Sequence, residues 1–263
     1  LSTTASEKYN GAPVLNDKGQ IVGIYNSNGT LQSATDAKYA NDFVLTGLSQ
    51  NDPTLLQSGI RIALPQQPDE AIIALMLSAT KIESLRMATI NDFLQKFPTL
   101  NNGYVTLATK LLANGEVAEA DKTLQQAIAK TTAKDEAHYN YGRLIFQGVT
   151  TAAIADKAKA QGWTLDKAMN EANEAYKLNP APVYKHLQAQ IVYTKGNYQQ
   201  AYHDFEALTN TPIKNPELYL EMAQCQEKLN ASNEAVLALL NQCVELCDTP
   251  YMETSSPYFL ARA

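Results

Sequence analysis

Cysteine and histidine, the side chains most often used as metal ligands and nucleophiles, are scarce in this sequence. Its three cysteines are Cys225, Cys243 and Cys247, and the last two stand four residues apart, on one face of a helix. Two thiolates on one face can begin a zinc site, but no His, Asp or Glu joins them at a ligand-like spacing. Free cysteine is among the most buried residue types. We therefore expect all three to fill the core, with no metal bound.

The histidines are also poorly placed for catalysis. His138, His186 and His203 all fall in segments with helical periodicity, and the chain has no HExxH or CxxC motif. It has neither GxxxxGK[ST] nor GxGxxG, the glycine-rich patterns that hold nucleotide phosphates. The sequence thus predicts no catalytic residue and no cofactor.

Charge and hydropathy narrow the choice of partner. Twenty-seven acidic residues against 21 basic ones give a net charge of −6, with no long run of either sign. A nucleic-acid-binding protein usually carries a basic patch, so nucleic acid is not an expected partner. No apolar stretch approaches the roughly 18 residues that could span a bilayer, so membrane insertion is not expected.

The elements that would carry a binding surface repeat every 34 residues from about residue 67 to residue 249. In the clearest unit, residues 101–134, two apolar stripes with helical spacing flank Gly115, which indicates two short amphipathic helices joined by a turn. Neither helix can bury its stripe alone, so the units must stack. The stripes are Tyr104, Leu107, Ala108 and Leu111, then Ala120, Leu124 and Ala127.

The other units follow the same pattern with local changes. In residues 67–100 the expected core residues are Ile73, Ala74 and Leu77 on the first helix, and Ile90 and Phe93 on the second. The third unit opens at Asp135, a plausible N-cap, and its second helix is delayed by an insertion. The insertion, about Gly148 to Gly162, is rich in alanine and lysine, which predicts added helix. The remaining units are 182–215 and 216–249.

These units resemble tetratricopeptide repeats over about two-thirds of the chain. That family has glycine before its second helix, alanine in the middle of that helix and a closing proline. The fold implied is mainly α: an α-solenoid of about five such helix pairs, residues 67–263, after a small β-hairpin segment. Departures are Arg86 at an alanine position and Asn230 at a glycine position. The matching residues are Gly115 and Gly196, Ala120, Ala168, Ala201 and Ala235, and Pro98 and Pro180.

The resemblance implies that the first helix of each pair forms a concave wall that holds a protein or peptide. Four positions of each unit, 2, 5, 9 and 12, would face the partner. The lysine and asparagine pattern with which some members clamp a C-terminal carboxylate is missing. The residues at these positions include Asn102, Val105, Thr109, Tyr139, Arg143, Phe146, His186, Gln190, Tyr193, Leu220, Gln224 and Glu227.

Residues 1–66 have β character instead. Two short apolar segments surround Asn16–Gly19, a hairpin signal, and residues 59–65 form a third candidate strand. The run from Gly11 to Val14 and the hairpin after it resemble the segment that follows the nucleophile in trypsin-like serine proteases. Only the tail of that barrel is covered. An ordinary hairpin that caps the first repeat is the alternative.

In that resemblance Asn10 occupies the nucleophile position, and an amide cannot attack as an activated hydroxyl does. The histidine and aspartate of the triad would lie upstream of Leu1. Resemblance to proteases with such repeats implies an extracytoplasmic location, periplasmic or secreted, with the cytoplasm left open.

Three functional hypotheses follow. The first is a non-catalytic scaffold that binds a protein or peptide on the concave wall. The second is the C-terminal part of a trypsin-like peptidase or pseudoprotease with a repeat tail, which a serine in place of Asn10 and an upstream triad would favour. The third is an architectural protein that forms oligomers through the solenoid, which light scattering would detect as a dimer.

Overall fold

The structure, a computed structural model, describes residues 6–39 and 63–247, together with residues 261 and 263. The chain divides into two compact units, residues 1–63 and residues 64–263. Within the described ranges, every helix is too short or too polar to cross a membrane.

The first unit contains a three-stranded antiparallel sheet. Its strands are β1 (Pro13–Leu15), β2 (Ile21–Ser27) and β3 (Gln32–Asp36), paired in the order β1-β2-β3. The predicted hairpin is confirmed: Gly19 adopts φ +74°, and the Asn16 side chain accepts hydrogen bonds from two backbone N–H groups of the turn. β3 was not predicted, because its residues are polar and have weak β propensity. Of the predicted strand at 59–65, residues 59–62 lie outside the described ranges and 63–65 are not a strand.

The described part of the second unit contains eleven helices. Their turns are short, so consecutive helices pack against each other in pairs. The helices are α1 (Pro68–Leu77), α2 (Glu83–Lys96), α3 (Asn101–Ala113), α4 (Val117–Lys130), α5 (Lys134–Thr150), α6 (Ala155–Ala160), α7 (Leu165–Leu178), α8 (Pro182–Thr194), α9 (Tyr198–Leu208), α10 (Pro216–Lys228) and α11 (Asn233–Leu246).

Five pairs result: α1 with α2, α3 with α4, α5 with α7, α8 with α9, and α10 with α11. Small residues let the helices approach closely. Ala120, Ala168 and Ala201 are fully buried, and a Cβ on Gly142 would lie 2.9 Å from the backbone oxygen of Ala168. The alanine positions recognised in the sequence are therefore sites of close helix packing in the second, third and fourth pairs.

The turns inside the pairs need a left-handed residue. Gly115 and Gly196 have φ values of +73° and +87°, as predicted for the glycines that break each pair. Asn230, which stands where the repeat has glycine, adopts φ +54°. Asparagine tolerates this region better than most residues, so the departure from the repeat pattern preserves the turn.

The first pair corrects the predicted core. Ile90 and Phe93 are fully buried as expected, but Ile73 and Leu77 are 58% and 55% exposed. The buried face of α1 contains Ala71, which was not predicted, with Ala74 and Leu75. Among the described residues, α1 packs on α2 and on the short turn between them. Because α1 is apolar on nearly every side, the sequence does not indicate which of its faces is buried.

The last pair differs from the prediction in the same way. Ala235, at the mid-helix alanine position, is exposed, because no later helix among the described residues packs over it. Leu220 is buried instead of facing a partner, in a cluster with Cys243 and Ala261.

The insertion adds helix, as predicted. α5 continues to Thr150, and the short helix α6 follows before Gly162, which has φ +77°. Asp135 is not the N-cap, because α5 begins one residue earlier, at Lys134. Its carboxylate instead accepts hydrogen bonds from Asn179 Nδ2 at 2.8 Å and Tyr184 Oη at 2.9 Å. Asp135 thus connects the third helix pair with the fourth.

Candidate functional site

The A-helix surface is defined as the ten predicted binding residues on α3, α5, α8 and α10, the first helices of the second to fifth pairs. None of these ten side chains is fully buried. Asn102 and Glu227 are exposed, and the other eight are half-buried. The eight are Thr109, Tyr139, Arg143, Phe146, His186, Gln190, Tyr193 and Gln224.

The aromatic members of this surface are held by neighbouring helices. The ring of Tyr139 lies 5.0 Å from the ring of Tyr184 on α8, and that of Tyr193 lies 5.2 Å from the ring of Tyr198 on α9. Tyr139 and Phe146 also pack at the edge of the central apolar cluster. These rings therefore contribute to packing between pairs while keeping part of their area open to solvent.

Arg143 has no hydrogen bond or ion pair with any residue in the described ranges. It is half-buried on α5, one turn after Tyr139. Burial raises the pKa of Tyr139, and the positive charge of Arg143 opposes that rise. A guanidinium carries five N–H donors in a fixed planar geometry. Here those donors are available to an external acceptor.

His186 and Gln190 meet at a carboxylate that the sequence did not indicate. Oε2 of Glu221 lies 2.6 Å from His186 Nε2, and its Oε1 accepts from Gln190 Nε2 at 2.7 Å. The repeat positions predicted that the neighbouring residue, Leu220, would lie on the A-helix surface. In the structure Leu220 is buried, and Glu221 is the residue of α10 that contacts His186 and Gln190. The available signal was the spacing of Glu217 and Glu221, which marks a polar face on α10.

The remaining members of the A-helix surface have free polar groups. The side chains of Asn102, Thr109, Gln224 and Glu227 form no hydrogen bond or ion pair within the described ranges. They are placed on the same series of first helices but are not joined to each other. This part of the surface is polar and solvated.

The cysteines are structural, as predicted. Cys225, Cys243 and Cys247 are buried, and none of the three forms a disulfide. Burial and the charge of Glu221 raise the pKa of Cys225 to about 12, and burial and Cys247 raise that of Cys243 to about 11. Both thiols are thus protonated at neutral pH and are poor nucleophiles. Within the described residues, no three His, Cys, Asp or Glu side chains cluster as metal ligands would.

Asn10 closes the small sheet. Its Nδ2 donates to the backbone oxygen of Ser27 at 2.9 Å, and its Oδ1 accepts from the Ser27 backbone N–H at 2.6 Å. The side chain therefore imitates a strand partner for the end of β2. Asn10 stands at the position that resembles the protease nucleophile, and both polar atoms of its side chain are engaged in hydrogen bonds.

We expect the isolated chain to be inert toward a fluorophosphonate probe, because an amide engaged in two backbone hydrogen bonds cannot attack phosphorus. Intact-mass spectrometry after incubation should show the unmodified chain. Trypsin treated in parallel confirms that the probe is active. Stoichiometric labelling within residues 1–39 would contradict the expectation and favour a peptidase.

A second polar cluster, which the sequence did not predict, surrounds Asp121 on α4. Its side chain is 7% exposed. Its Oδ1 accepts hydrogen bonds from Tyr141 Oη and Trp163 Nε1, each at 2.5 Å, and lies 3.2 Å from Lys167 Nζ. Gln125 donates to Oδ2 at 2.7 Å. The partners lie 4 to 46 residues away in the chain, so no local motif exists. This cluster connects the second pair to the insertion and to α7.

Solved structures with the same fold are distant in sequence. TTC0263 from Thermus thermophilus, a thermophilic tetratricopeptide-repeat protein, matches with a TM-score of 0.55 at 14% identity, over 74% of this chain and 98% of that one. The human IFIT1 dimer with PPP-AAAA matches with a TM-score of 0.53 at 15% identity, over 74% of this chain and 44% of that one. No family profile and no curated protein matches the chain.

These likenesses establish the fold. The chain forms an α-solenoid of about five tetratricopeptide-like helix pairs, preceded by a small antiparallel sheet. At such identities the comparison carries no information about ligands.

Proposed function

We propose that this protein is a non-catalytic interaction scaffold that binds a protein or peptide on the A-helix surface. The observation that carries this proposal is Arg143, a half-buried residue whose guanidinium has no acceptor among the described residues and is open to solvent. A charge-assisted hydrogen bond from a guanidinium to a carboxylate is stronger than one between neutral groups. An acceptor supplied by a partner can therefore bind to these open donors.

The surroundings of Arg143 favour a peptide-like partner. Tyr139 and Phe146 lie one turn before and almost one turn after it on α5, and both keep part of their surface exposed. A peptide offers backbone carbonyls or an acidic side chain for the guanidinium and apolar side chains for the rings. Arginine and aromatic residues are also the types that dominate protein interfaces.

The charge of the surface disfavours a nucleic acid. On α10, Glu227 belongs to the A-helix surface and Glu217 and Glu221 lie on the same helix, opposed by Arg143 and the titratable His186. Together with the net charge of −6, this acidic side would repel a polyanion. A protein or peptide is therefore the proposed partner.

Arg143→Ala and Tyr193→Ala should each weaken binding of the partner by about 2 kcal/mol, roughly 30-fold in Kd, because both remove central side chains of the surface. The partner is first isolated with the full chain by selection from a peptide display library. Its affinity for each variant is then measured by isothermal titration calorimetry, with circular dichroism to verify folding.

The matched control is Lys122→Ala on α4, whose ammonium group is exposed. Lys167 is unsuitable as a control, because its ammonium group contacts the buried Asp121 carboxylate. If Lys122→Ala abolishes binding while both surface variants keep wild-type affinity, the second helices bind the partner and the proposal is wrong. If light scattering shows a dimer and no peptide is selected, the architectural hypothesis is favoured.

A further inference from the structure

The first helices of the fourth and fifth pairs, α8 and α10, are joined by side chains that meet at the Glu221 carboxylate. His186 and Gln190 contact its two oxygens at 2.6 and 2.7 Å. The side chains of His186 and Glu221 are 17% and 14% exposed, so water screens their interaction only in part. The fourth and fifth pairs pack most closely where α9 lies against α10, not where α8 faces α10. We infer that His186 and Glu221 form a proton-dependent clasp between α8 and α10.

The charges around the imidazole explain why its proton matters. Glu217 and Glu221 stand four residues apart on α10, where like charges repel. Burial and the charge of Glu221 raise the pKa of Glu217, whereas the charge of His186 lowers it. A protonated His186 offsets the repulsion and forms a charge-assisted hydrogen bond with Glu221. A neutral imidazole retains one N–H donor but cannot offset the repulsion.

No second cation can replace His186 in the described part of the chain. It is the single basic group within 4.0 Å of the Glu221 carboxylate there, and Glu217 forms no ion pair with any described residue. From α9 the contact with the imidazole is the uncharged ring of Phe205, with centroids 5.8 Å apart. α5 and α7 also pack on α8. On these helices Asp135 accepts a hydrogen bond from Tyr184, and Glu171 pairs with the other half-buried histidine, His138.

The pH dependence has a definite sign. Burial lowers the pKa of His186, but the hydrogen bond and charge of Glu221, with the charge of Glu217, raise it to a net value above 6.5. A group whose pKa rises on folding stabilises the fold fully below its unfolded pKa, and that stabilisation is lost as the pH rises through its folded pKa. The clasp is therefore closed in mildly acidic solution and weakens as the pH rises through the pKa of folded His186.

The test is a titration of His186 by nuclear magnetic resonance in the full chain and in Glu221→Gln. In the wild type His186 should titrate above its ordinary value, and in Glu221→Gln its pKa should fall, because the variant removes the charge but keeps an acceptor. A wild-type pKa at or below 6.5, or one that Glu221→Gln leaves unchanged, would overturn the inference.

Urea unfolding between about pH 5.5 and pH 8.5 gives a second measurement. The midpoint of the wild type should fall with rising pH more steeply than that of His186→Gln, which cannot titrate. His203→Gln is the matched control, since His203 is 57% exposed and, among the described residues, its polar contacts are with Gln199 and Glu206 of its own helix. Parallel curves for the wild type and His186→Gln would contradict the clasp. No partner enters either measurement, so the result is independent of the proposed binding function.

Discussion

Asp121→Ala is expected to destabilise the solenoid by about 3–5 kcal/mol, because it leaves two buried donors without an acceptor, each at a cost of roughly 1–3 kcal/mol. Three donors share one carboxylate oxygen: Tyr141 Oη, Trp163 Nε1 and Lys167 Nζ. With the carboxylate removed, the hydroxyl and the indole N–H remain in the interior without an acceptor. The free energy of unfolding in urea, followed by circular dichroism, measures the loss.

The control is Asp166→Ala, which removes an acid of the same type from α7. Asp166 is 81% exposed and pairs with Lys195 at the surface. Exposed ion pairs contribute roughly 0–1 kcal/mol, so this variant should unfold close to the wild type. Equal losses in the two variants would show that the hydrogen-bonded cluster does not stabilise the chain.

The charge state of Asp121 gives the same cluster a pH dependence opposite to that of His186. Burial raises the pKa of Asp121, but the hydrogen bonds from Tyr141 and Trp163 and the contact with Lys167 lower it to a net value below normal. A carboxyl group of this kind stabilises the fold above its unfolded pKa, and that stabilisation is lost as the pH falls through its folded pKa.

Trp163→Ala is expected to cost about 3–5 kcal/mol, as large-to-small substitutions of buried aromatic residues do. Trp163 is 1% exposed, and its ring lies against Gly148, where an added Cβ would stand 2.7 Å from a ring carbon. It also forms an edge contact with Tyr141, at a centroid distance of 6.5 Å. The variant therefore leaves a cavity between the insertion and α5. Because Trp163 is the sole tryptophan of the chain, unfolding is followed by circular dichroism.

Trp163→Phe distinguishes the contribution of ring packing from that of the hydrogen bond to Asp121. The variant keeps an aromatic ring but removes the indole N–H that donates to the Asp121 carboxylate. It should lose less stability than the alanine variant. Amide exchange in α6 should accelerate in Trp163→Ala, because Ala158 of that helix packs in the same buried cluster. Unchanged exchange in α6 together with a loss below about 1 kcal/mol would show that the insertion is held by other contacts.

Local patterns in the sequence were sufficient for most of the fold. The 34-residue period, the alanines in the middle of the second helices and the turn glycines predicted the pairs that are seen. The helical insertion and the burial of the cysteines were predicted from residue type alone. Such features follow from helical periodicity and intrinsic backbone preference, which depend on residues within a few positions of each other.

The register between helices was decided by the tertiary structure. The sequence assigned Leu220 to the binding surface, but α10 buries that residue and brings Glu221 to His186 and Gln190. In the same way, α1 buries Ala71 and leaves Ile73 exposed. A helix rotation of one residue, about 100°, changes which side chain faces a neighbour, and packing against other pairs sets that rotation.

The polar contacts between helix pairs likewise could not be predicted from the sequence. Asp121 contacts Lys167, 46 residues later in the sequence. Asp135 accepts hydrogen bonds from Asn179 and Tyr184, which also lie in later segments. Each residue alone reads as a charged or capping group on a helix surface. Only stacking of the pairs, driven by burial of their apolar stripes, brings these groups within hydrogen-bonding distance in an interior where an unpaired charge is costly.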